Sequence, residues 1–326
     1  MRIFITGGAG CLGSNLAELY LERGAQVLVL DNFVTGHRGS LPEAHEGMTL
    51  VEGSVADAAL VSRLVADFKP SHVIHSAASY KDPNDWVEDA RVNVEGAINV
   101  IRAAEAGGVK RLINFHTALG YGRPSSVPVP VDAPARPFTS YGVSKQAAEN
   151  YLAMSSTPFV SLRLANVTGP RLAIGPIPTF YTRLKAGKAC FCSKTIRDFV
   201  DMEDFFSLID IVMKEEAPTG IFNVSTGAGH TIREIFDLVA DHLGVKPDAP
   251  PEVEPGPDDV AAMVLDPTRT QQILGWRAKH DFKAIVERML AWYDRHGVTA
   301  IFSHLQAPAA AGAAPERTRD STRLRG

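Results

Sequence analysis

The sequence has little of what marks a secreted, membrane-bound or nucleic-acid-binding protein. Its 326 residues hold three cysteines, Cys11, Cys190 and Cys192. So odd and sparse a set cannot staple a fold, and it fits a reducing cytoplasm. Cys190 and Cys192 alternate on an expected strand and lack a matching His/Cys motif, so their expected role is packing and no metal site is expected. The longest apolar runs are only strand-length, which gives no expected membrane span. With 33 Lys and Arg against 37 Asp and Glu, the net charge is −4. There is no basic field for nucleic acid. The chain opens on a core strand, leaving no expected room for a signal peptide. Internal repeats are also missing. What remains is an ordinary globular composition, 45% hydrophobic, long enough for about two domains.

The most informative stretch is the first. Ile3, Phe4 and Ile5 read as a buried strand, followed by Thr6-Gly7-Gly8-Ala9-Gly10-Cys11-Leu12-Gly13. Residues 14–23 then read as a helix, with Leu16, Leu19, Tyr20 and Arg23 at helical spacing and Gly24 as its stop. Side chains at Gly7, Gly10 and Gly13 would block a tight turn or the approach of a phosphate to backbone. The free N–H groups and positive end of the following helix favour an anion there. A second strand, 26–30, ends at Asp31, a carboxylate about 20 residues past the glycines, where adenosine ribose hydroxyls would be held. Asp31 would repel a 2′-phosphate, so the expected cofactor is NAD rather than NADP.

The alternation continues. Strands are expected at 49–52, 71–75, 111–115 and 159–163, and helices at 59–67 and 86–107, the latter with Val92, Ala97, Val100, Ile101 and Ala104 on one face. This predicts an α/β fold with a doubly wound parallel sheet, its ligands at the carboxyl ends of the strands after His75, Phe115 and Arg163. Beyond Gly169, Pro170, Pro176 and Pro178 break the pattern. A helix near 178–186, a short strand at 189–192, a return to the sheet through 201–213 and 221–224, and amphipathic helices at 231–243 and 281–296 complete the chain. Residues after about 306 are small and then Arg-rich, and are expected to be disordered.

Thr139-Ser140-Tyr141-Gly142-Val143-Ser144-Lys145 opens a helix expected to reach about Met154. Tyr141 and Lys145 share a face. An ammonium beside a phenol favours the phenolate, so the spacing predicts a lowered Tyr141 pKa and a general base for an alcohol. Thr117, at the end of the fifth strand, lies where an alcohol bound to Tyr141 would meet its hydroxyl.

Together with the glycine loop, Asp31-Asn32, His75-Ser76-Ala77-Ala78, Asn93-Val94-Glu95-Gly96, Arg163-Leu164-Ala165-Asn166-Val167-Thr168-Gly169-Pro170-Arg171 and Arg197-Asp198-Phe199-Val200, this pattern resembles the extended short-chain dehydrogenase/reductases. The resemblance implies a Rossmann-type fold and a catalytic set of Thr117, Tyr141 and Lys145. It implies NAD contacts from Gly7, Gly10, Cys11, Leu12, Gly13, Asp31, Asn32, Thr35, Gly36, Ser54, Val55, His75, Ala77, Ala78, Lys81, Asn93, Tyr141 and Lys145. Residues 1–165 plus 197–222 would form the NAD-binding domain. Residues 166–196 plus 223–305 would form a smaller, discontinuous nucleotide-sugar domain, and 306–326 the disordered tail. A homodimer through helices 86–107 and 141–154 is the family expectation. So is a UDP-sugar substrate held by Lys81, Thr117, Tyr141, Asn166, Thr168, Arg171, Phe180, Phe191 and Arg197. Arginine suits the diphosphate because its planar fork donates paired hydrogen bonds. The alternative for Arg197 is an ion pair with Asp198 or Asp201. The family's second phosphate arginine is missing from Glu254-Pro255-Gly256-Pro257-Asp258-Asp259.

Related dehydratases carry an Asp-Glu pair after the Thr, and related decarboxylases a Glu. Here Ala118 and Leu119 can move no proton. The remaining chemistry is oxidation and re-reduction at C4 of the sugar. Residues 115–124, 169–181 and 190–193 resemble bacterial UDP-uronate epimerases, so the expected reaction is UDP-glucuronate to UDP-galacturonate. Thr117, Ser140, Thr168 and Arg171 are candidates to hold the carboxylate. The alternatives are 4-epimerisation of UDP-glucose or a UDP-N-acetylhexosamine, decarboxylation of UDP-glucuronate, and an NAD(H)-sensing protein without turnover.

Overall fold

Seven parallel strands carry the molecule. In chain order β1 (Arg2–Thr6), β2 (Gln26–Asp31), β3 (Met48–Glu52), β4 (His72–His75), β5 (Arg111–Thr117) and β6 (Phe159–Leu164) are followed by two small strands, β7 (Asn166–Thr168) and β8 (Cys192–Ser193). Then come β9 (Ile196–Arg197), β10 (Phe199–Asp201) and the last strand of the main sheet, β11 (Gly220–Val224). The main sheet runs β11-β6-β5-β4-β1-β2-β3. All of its pairings are parallel. The chain therefore reverses direction across the sheet between β1 and β4, and a crevice opens at that switch point. The computed structural model describes residues 1–299. The expected tail at 306–326 and the end of the expected second domain lie outside the described residues.

Side-chain alternation sorts the strands onto two cores. Ile3, Ile5, Val27 and Val29 face a cluster with Leu16, Ala17 and Tyr20 of α1 (Cys11–Glu22). Phe4, Leu28 and Leu30 face the opposite cluster. There they meet Val61 and Val65 of α2 (Ala58–Phe68), which is capped by Asp57. This period-two division is what a sheet covered on both faces requires. The expected helix 86–107 proves to be three pieces. Helix α3 (Trp86–Asp89) passes through a π-helical turn (Ala90–Glu95) into α4 (Gly96–Ala106). A π turn swings side chains off the regular face, and here it carries Asn93. Helix α5 (Ser140–Leu152) begins at Thr139, whose Oγ1 accepts the Gly142 N–H at 3.1 Å.

A further core joins α6 (Pro176–Lys185), α8 (Ile232–Leu243) and α10 (Phe282–His296) through Ile177, Phe180, Ile235, Phe236, Val286 and Tyr293. The amphipathic expectation for 231–243 and 281–296 is met. Thr231 and Glu234 form a capping box at the first, and Asp281 caps the second. Helix α7 (Met202–Val212) lays Phe205, Leu208 and Ile209 on the α1 side of the sheet, with Trp276 following α9 (Thr268–Leu274). Three short strands, β12 (His230–Thr231), β13 (Glu252–Val253) and β14 (Ala262–Met263), tie the later loops to β9 and β8. The strand expected at 189–192 begins only at Cys192, so Cys190 lies outside it.

Candidate active site

A cavity of about 770 Å³ opens at the carboxyl ends of β1, β2, β4, β5 and β6. One end is the glycine turn. Gly7 has φ +66°, and a Cβ there would stand 2.6 Å from Ala77 Cα. A Cβ on Gly13 would stand 2.4 Å from the Gly7 carbonyl oxygen. Only hydrogen allows β1, the turn, α1 and the 76–78 segment to approach this closely. Helix α2 has a side-chain cap, but among the described residues α1 has none, since its N-cap is Gly10. Its first N–H groups are left for an anion in the cavity.

Asp31 closes this end. Its carboxylate accepts the Ala9 and Phe33 N–H groups at 2.8 Å each. Burial nonetheless raises its pKa, against those two bonds. Its remaining lone pairs face the wall formed with Asn32, Thr35, Gly36, Ser54 and Val55. Gly7, Gly10, Cys11, Leu12, Ala77, Ala78 and Lys81 line the same cavity. Burial pushes the Cys11 thiol up to about 12, so this cysteine is an unreactive packing group.

Three expected contacts sit behind the wall instead. Gly13 is packed against Gly7. His75, 3% exposed, holds Thr6 Oγ1 through Nδ1 at 2.8 Å. Burial brings its pKa down to about 3, so it is a neutral strut. Asn93 gives its amide N–H to the Ser79 carbonyl at 2.8 Å and to Ser144 Oγ at 3.0 Å, and takes the Ser79 N–H at 2.7 Å. The π turn thus uses Asn93 to fasten the cavity loop to α5.

Thr117, Tyr141 and Lys145 all reach the cavity floor. Thr117 Oγ1 accepts the Leu119 N–H at 3.2 Å, which leaves its own proton free to donate outward. The electrostatics overturn one expectation. The Tyr141 pKa is raised, not lowered, by its dry surroundings and by Tyr80 and Asp89. Lys145 is itself drawn down to about 8 by burial, against the pull of Glu149. Taking both groups out of water favours their neutral forms, and that outweighs the i,i+4 attraction read from the spacing.

At the far end stand Asn166, Phe180, Phe191 and Arg197. Asn166 donates to the Asp198 carbonyl at 2.9 Å. Arg197 pairs with neither Asp198 nor Asp201. Its guanidinium bonds Asp259 and the Ile196 carbonyl. Asp198 instead caps the turn at Thr226 and Gly227. Thr168 and Arg171 are not brought to the cavity. Thr168 is buried and donates to the Asn166 carbonyl at 3.2 Å. Arg171, at φ +66°, turns to Glu18 at 2.8 Å and Asn15 at 3.2 Å on α1. Ser140, at the start of α5, does not line the cavity either.

Two wall residues went unread in the sequence. The Tyr80 ring packs against that of Tyr141, tilted by 55° with ring centres 5.8 Å apart. Its place between Ala78 and Lys81 could have signalled it. Arg183 lies one turn past Thr179 on α6, with its guanidinium on the Ala189 carbonyl. Nothing in its local sequence separates it from a surface arginine.

The molecule compares closely with several known proteins. The crystal structure of the Bordetella bronchiseptica enzyme WbmG in complex with NAD and UDP is similar, with 61% identity and a TM-score of 0.90 over 94% of this chain and 99% of that one. The Thermotoga maritima UDP-glucose 4-epimerase with UDP-glucose has 27% identity and a TM-score of 0.84, over 91% and 99% of the two chains. In sequence, the UDP-glucose 4-epimerase of Mycolicibacterium smegmatis is 32% identical over 299 residues, 85% of this chain and 93% of the relative. The family model matches residues 3–225, from the first strand to the last of the main sheet. That stretch holds the glycine turn, Asp31 and the Thr117, Tyr141 and Lys145 floor, and with it the chain belongs to the NAD dependent epimerase/dehydratase family.

Proposed function

We propose that the protein interconverts the C4 epimers of a UDP-sugar with NAD as a resident cofactor. The observation that carries this is the convergence of Thr117, Tyr141 and Lys145 on one cavity floor that reaches from the glycine turn to the Arg197 end, with Ala118 and Leu119 following Thr117 in the chain. The relatives named as UDP-glucose 4-epimerases and the NAD and UDP bound to WbmG support it. The uncapped start of α1, the close approach at Gly7 and the Asp31 carboxylate fit a dinucleotide. In this reading residues 1–165 with 197–222 hold the cofactor, and 166–196 with 223–305 the nucleotide-sugar.

Thr117 donates a hydrogen bond to O4 of the sugar. Tyr141 accepts the 4-hydroxyl proton and later returns it to the same oxygen. Lys145 lies beside the phenol and holds the nicotinamide ribose. Bound there, NAD would supply the hydride acceptor and then the hydride donor for C4, and its oxidised form would bring positive charge into the floor. The 4-keto sugar turns over between the two transfers. Ala118 and Leu119 offer no acid or base, so neither elimination nor decarboxylation has a proton carrier at that position.

For the sugar we propose UDP-glucuronate, giving UDP-galacturonate, on the resemblance of residues 115–124, 169–181 and 190–193 to uronate epimerases. Of the four expected carboxylate holders, Thr117 alone lines the cavity, and the cations Lys81 and Arg183 stand on its wall. The displacement of Arg171 onto Glu18 favours a second reading, UDP-glucose. Proton NMR of the purified protein with UDP-glucuronate and no added cofactor is the test. UDP-galacturonate confirms the uronate. Turnover of UDP-glucose alone replaces it, a pentose with CO₂ indicates decarboxylation, and NAD binding without any turnover indicates a sensor.

We also propose a homodimer. Trp86 and Val87 on α3 and Val143 and Tyr151 on α5 are exposed, with Met154 just beyond, 79% exposed. Residues 143, 151 and 154 lie on one helical face, and a second copy would cover it. Replacing Val143 and Tyr151 by glutamate should halve the mass in sedimentation, and an unchanged dimer refutes this face. Among the described residues no helix is long and apolar enough to cross a membrane. Three free cysteines fit a cytoplasmic protein.

A further inference from the structure

Directly behind Thr117 lies a buried polar cluster with two loose ends. His116 is 2% exposed, and its Nδ1 lies 2.8 Å from the Thr117 backbone nitrogen and 2.9 Å from the Thr117 carbonyl oxygen. Its Nε2 is buried without a hydrogen-bond partner among the described residues. So is the Oε1 of Gln146, the residue after Lys145. The two sit against the same glycine. A Cβ on Gly120 would stand 2.5 Å from His116 Cε1 and 3.3 Å from Gln146 Oε1. Any larger residue at 120 would collide with the imidazole and fill the gap between the pair.

The loose ends are complementary. Gln146 spends its amide N–H groups on Glu149 Oε1 at 3.4 Å and Asn150 Oδ1 at 3.0 Å, so its oxygen is left as an acceptor. Of the two neutral tautomers, one donates from Nδ1 to the Thr117 carbonyl and leaves Nε2 an acceptor; the other accepts the Thr117 N–H at Nδ1 and carries its proton on Nε2, and only this one offers a donor to the Gln146 acceptor. Burial holds His116 down to about 4 and hence neutral, against Glu149 and in concert with Lys145 and Arg163. Beyond Gln146 the cluster is anchored. Glu149 takes Arg163 Nε at 3.1 Å and Ser161 Oγ at 2.7 Å on β6. A buried donor and a buried acceptor are each costly to leave unpaired, so a bridge between them is strongly favoured.

We infer that His116 and Gln146 are positioning residues, joined through one buried water, in a chain running Thr117 N–H, His116, Gln146, Glu149, Arg163. The chain clamps the end of β5, which carries Thr117, to the face of α5 that carries Tyr141 and Lys145. It fixes the spacing between the hydroxyl that donates to O4 and the phenol that takes its proton. Neither residue touches the sugar. The kinetic consequence rests on the epimerase reading, whereas the bonding pattern does not.

The test has a spectroscopic and a kinetic arm. In wild-type protein labelled with ¹⁵N-histidine, two-bond ¹H–¹⁵N spectra, assigned by the peak lost in His116→Asn, should show His116 neutral with its proton on Nε2. A proton on Nδ1 overturns the chain, and this arm needs no turnover, so a failed sugar assignment leaves it decisive. For the sugar that turns over, Gln146→Leu should lower kcat about tenfold with KM and bound NAD unchanged, because a misplaced reacting pair costs rate rather than binding. Gln146→Glu keeps the acceptor and should restore kcat at alkaline pH. Its charge favours protonated His116, which cannot accept the Thr117 N–H, so kcat should gain an acidic limb that wild type lacks. Wild-type kcat in Gln146→Leu, or a parallel loss of kcat, NAD content and melting temperature, overturns the positioning role.

Discussion

Replacing Lys145 by methionine should make the empty protein more stable while removing its activity. Lys145 is 2% exposed, and burial draws its pKa from 10.5 to about 8. The unfolded chain therefore holds this proton more tightly than the folded one. Folding is penalised in full below about pH 8, progressively less between 8 and 10.5, and not at all above. A fall of that size corresponds to about 3 kcal/mol at 25 °C. Methionine has the same reach without the charge and adapts to irregular surroundings. Urea unfolding of nucleotide-free protein at pH 7 should show Lys145→Met more stable by up to about 3 kcal/mol. At pH 10 the advantage should shrink to under about 1 kcal/mol. Nucleotide must be removed first, because a ligand bound to the folded state would stabilise wild type by mass action and hide the effect. If the variant is no more stable at pH 7, or the difference is the same at both values, the burial penalty assigned to Lys145 is wrong.

Other substitutions separate the roles at the site. Tyr141→Phe should nearly abolish turnover and leave NAD bound, and substantial residual activity would refute the general-base role. Thr117→Ala should cost on the order of 10²-fold in kcat if the hydroxyl positions O4, and near-native rates would assign that task elsewhere. Gly13→Ala would drive a methyl to 2.4 Å from the Gly7 carbonyl, so the purified variant should carry no nucleotide by absorbance. Full retention there would mean the turn can widen.

The sheet was legible because its strands are nearly continuous apolar runs between turn signals, and the first turn because its glycines stand between a strand and a helix. The glycines read as a cofactor cradle are real close approaches, and the caps at Thr231 and Asp281 stop where the periodicity said they would. The failures share a cause. Arg171 was read as a sugar contact from its position in a motif, but a left-handed backbone at that residue turns it toward Glu18, and periodicity does not encode such a turn. The partner of Arg197 is Asp259, 62 residues away, so no local window could have supplied it. The π turn at Ala90–Glu95 changes no hydrophobic period, and the work of Asn93 stayed hidden with it. Helical spacing gave the neighbours of Tyr141 but not their burial, and burial reversed the sign of its pKa.

That reversal carries a mechanistic consequence. On the cavity floor Tyr141 and Lys145 are both pushed toward neutrality, Tyr141 upward and Lys145 downward. A lysine that gives up its proton near pH 8 supports a phenolate less as pH rises, so folding alone does not arm the base. Lys145 is still charged at pH 7, and the same dryness that penalises the phenolate amplifies any further positive charge brought within a few ångströms of it. Base strength then depends on occupancy. On the epimerase reading, Tyr141 would be a better proton acceptor with the oxidised nicotinamide held beside it than without. A 4-epimerase needs that coupling, because its 4-keto sugar must be reduced again before it leaves, and a base armed only beside oxidised cofactor acts only where a hydride acceptor is already in place.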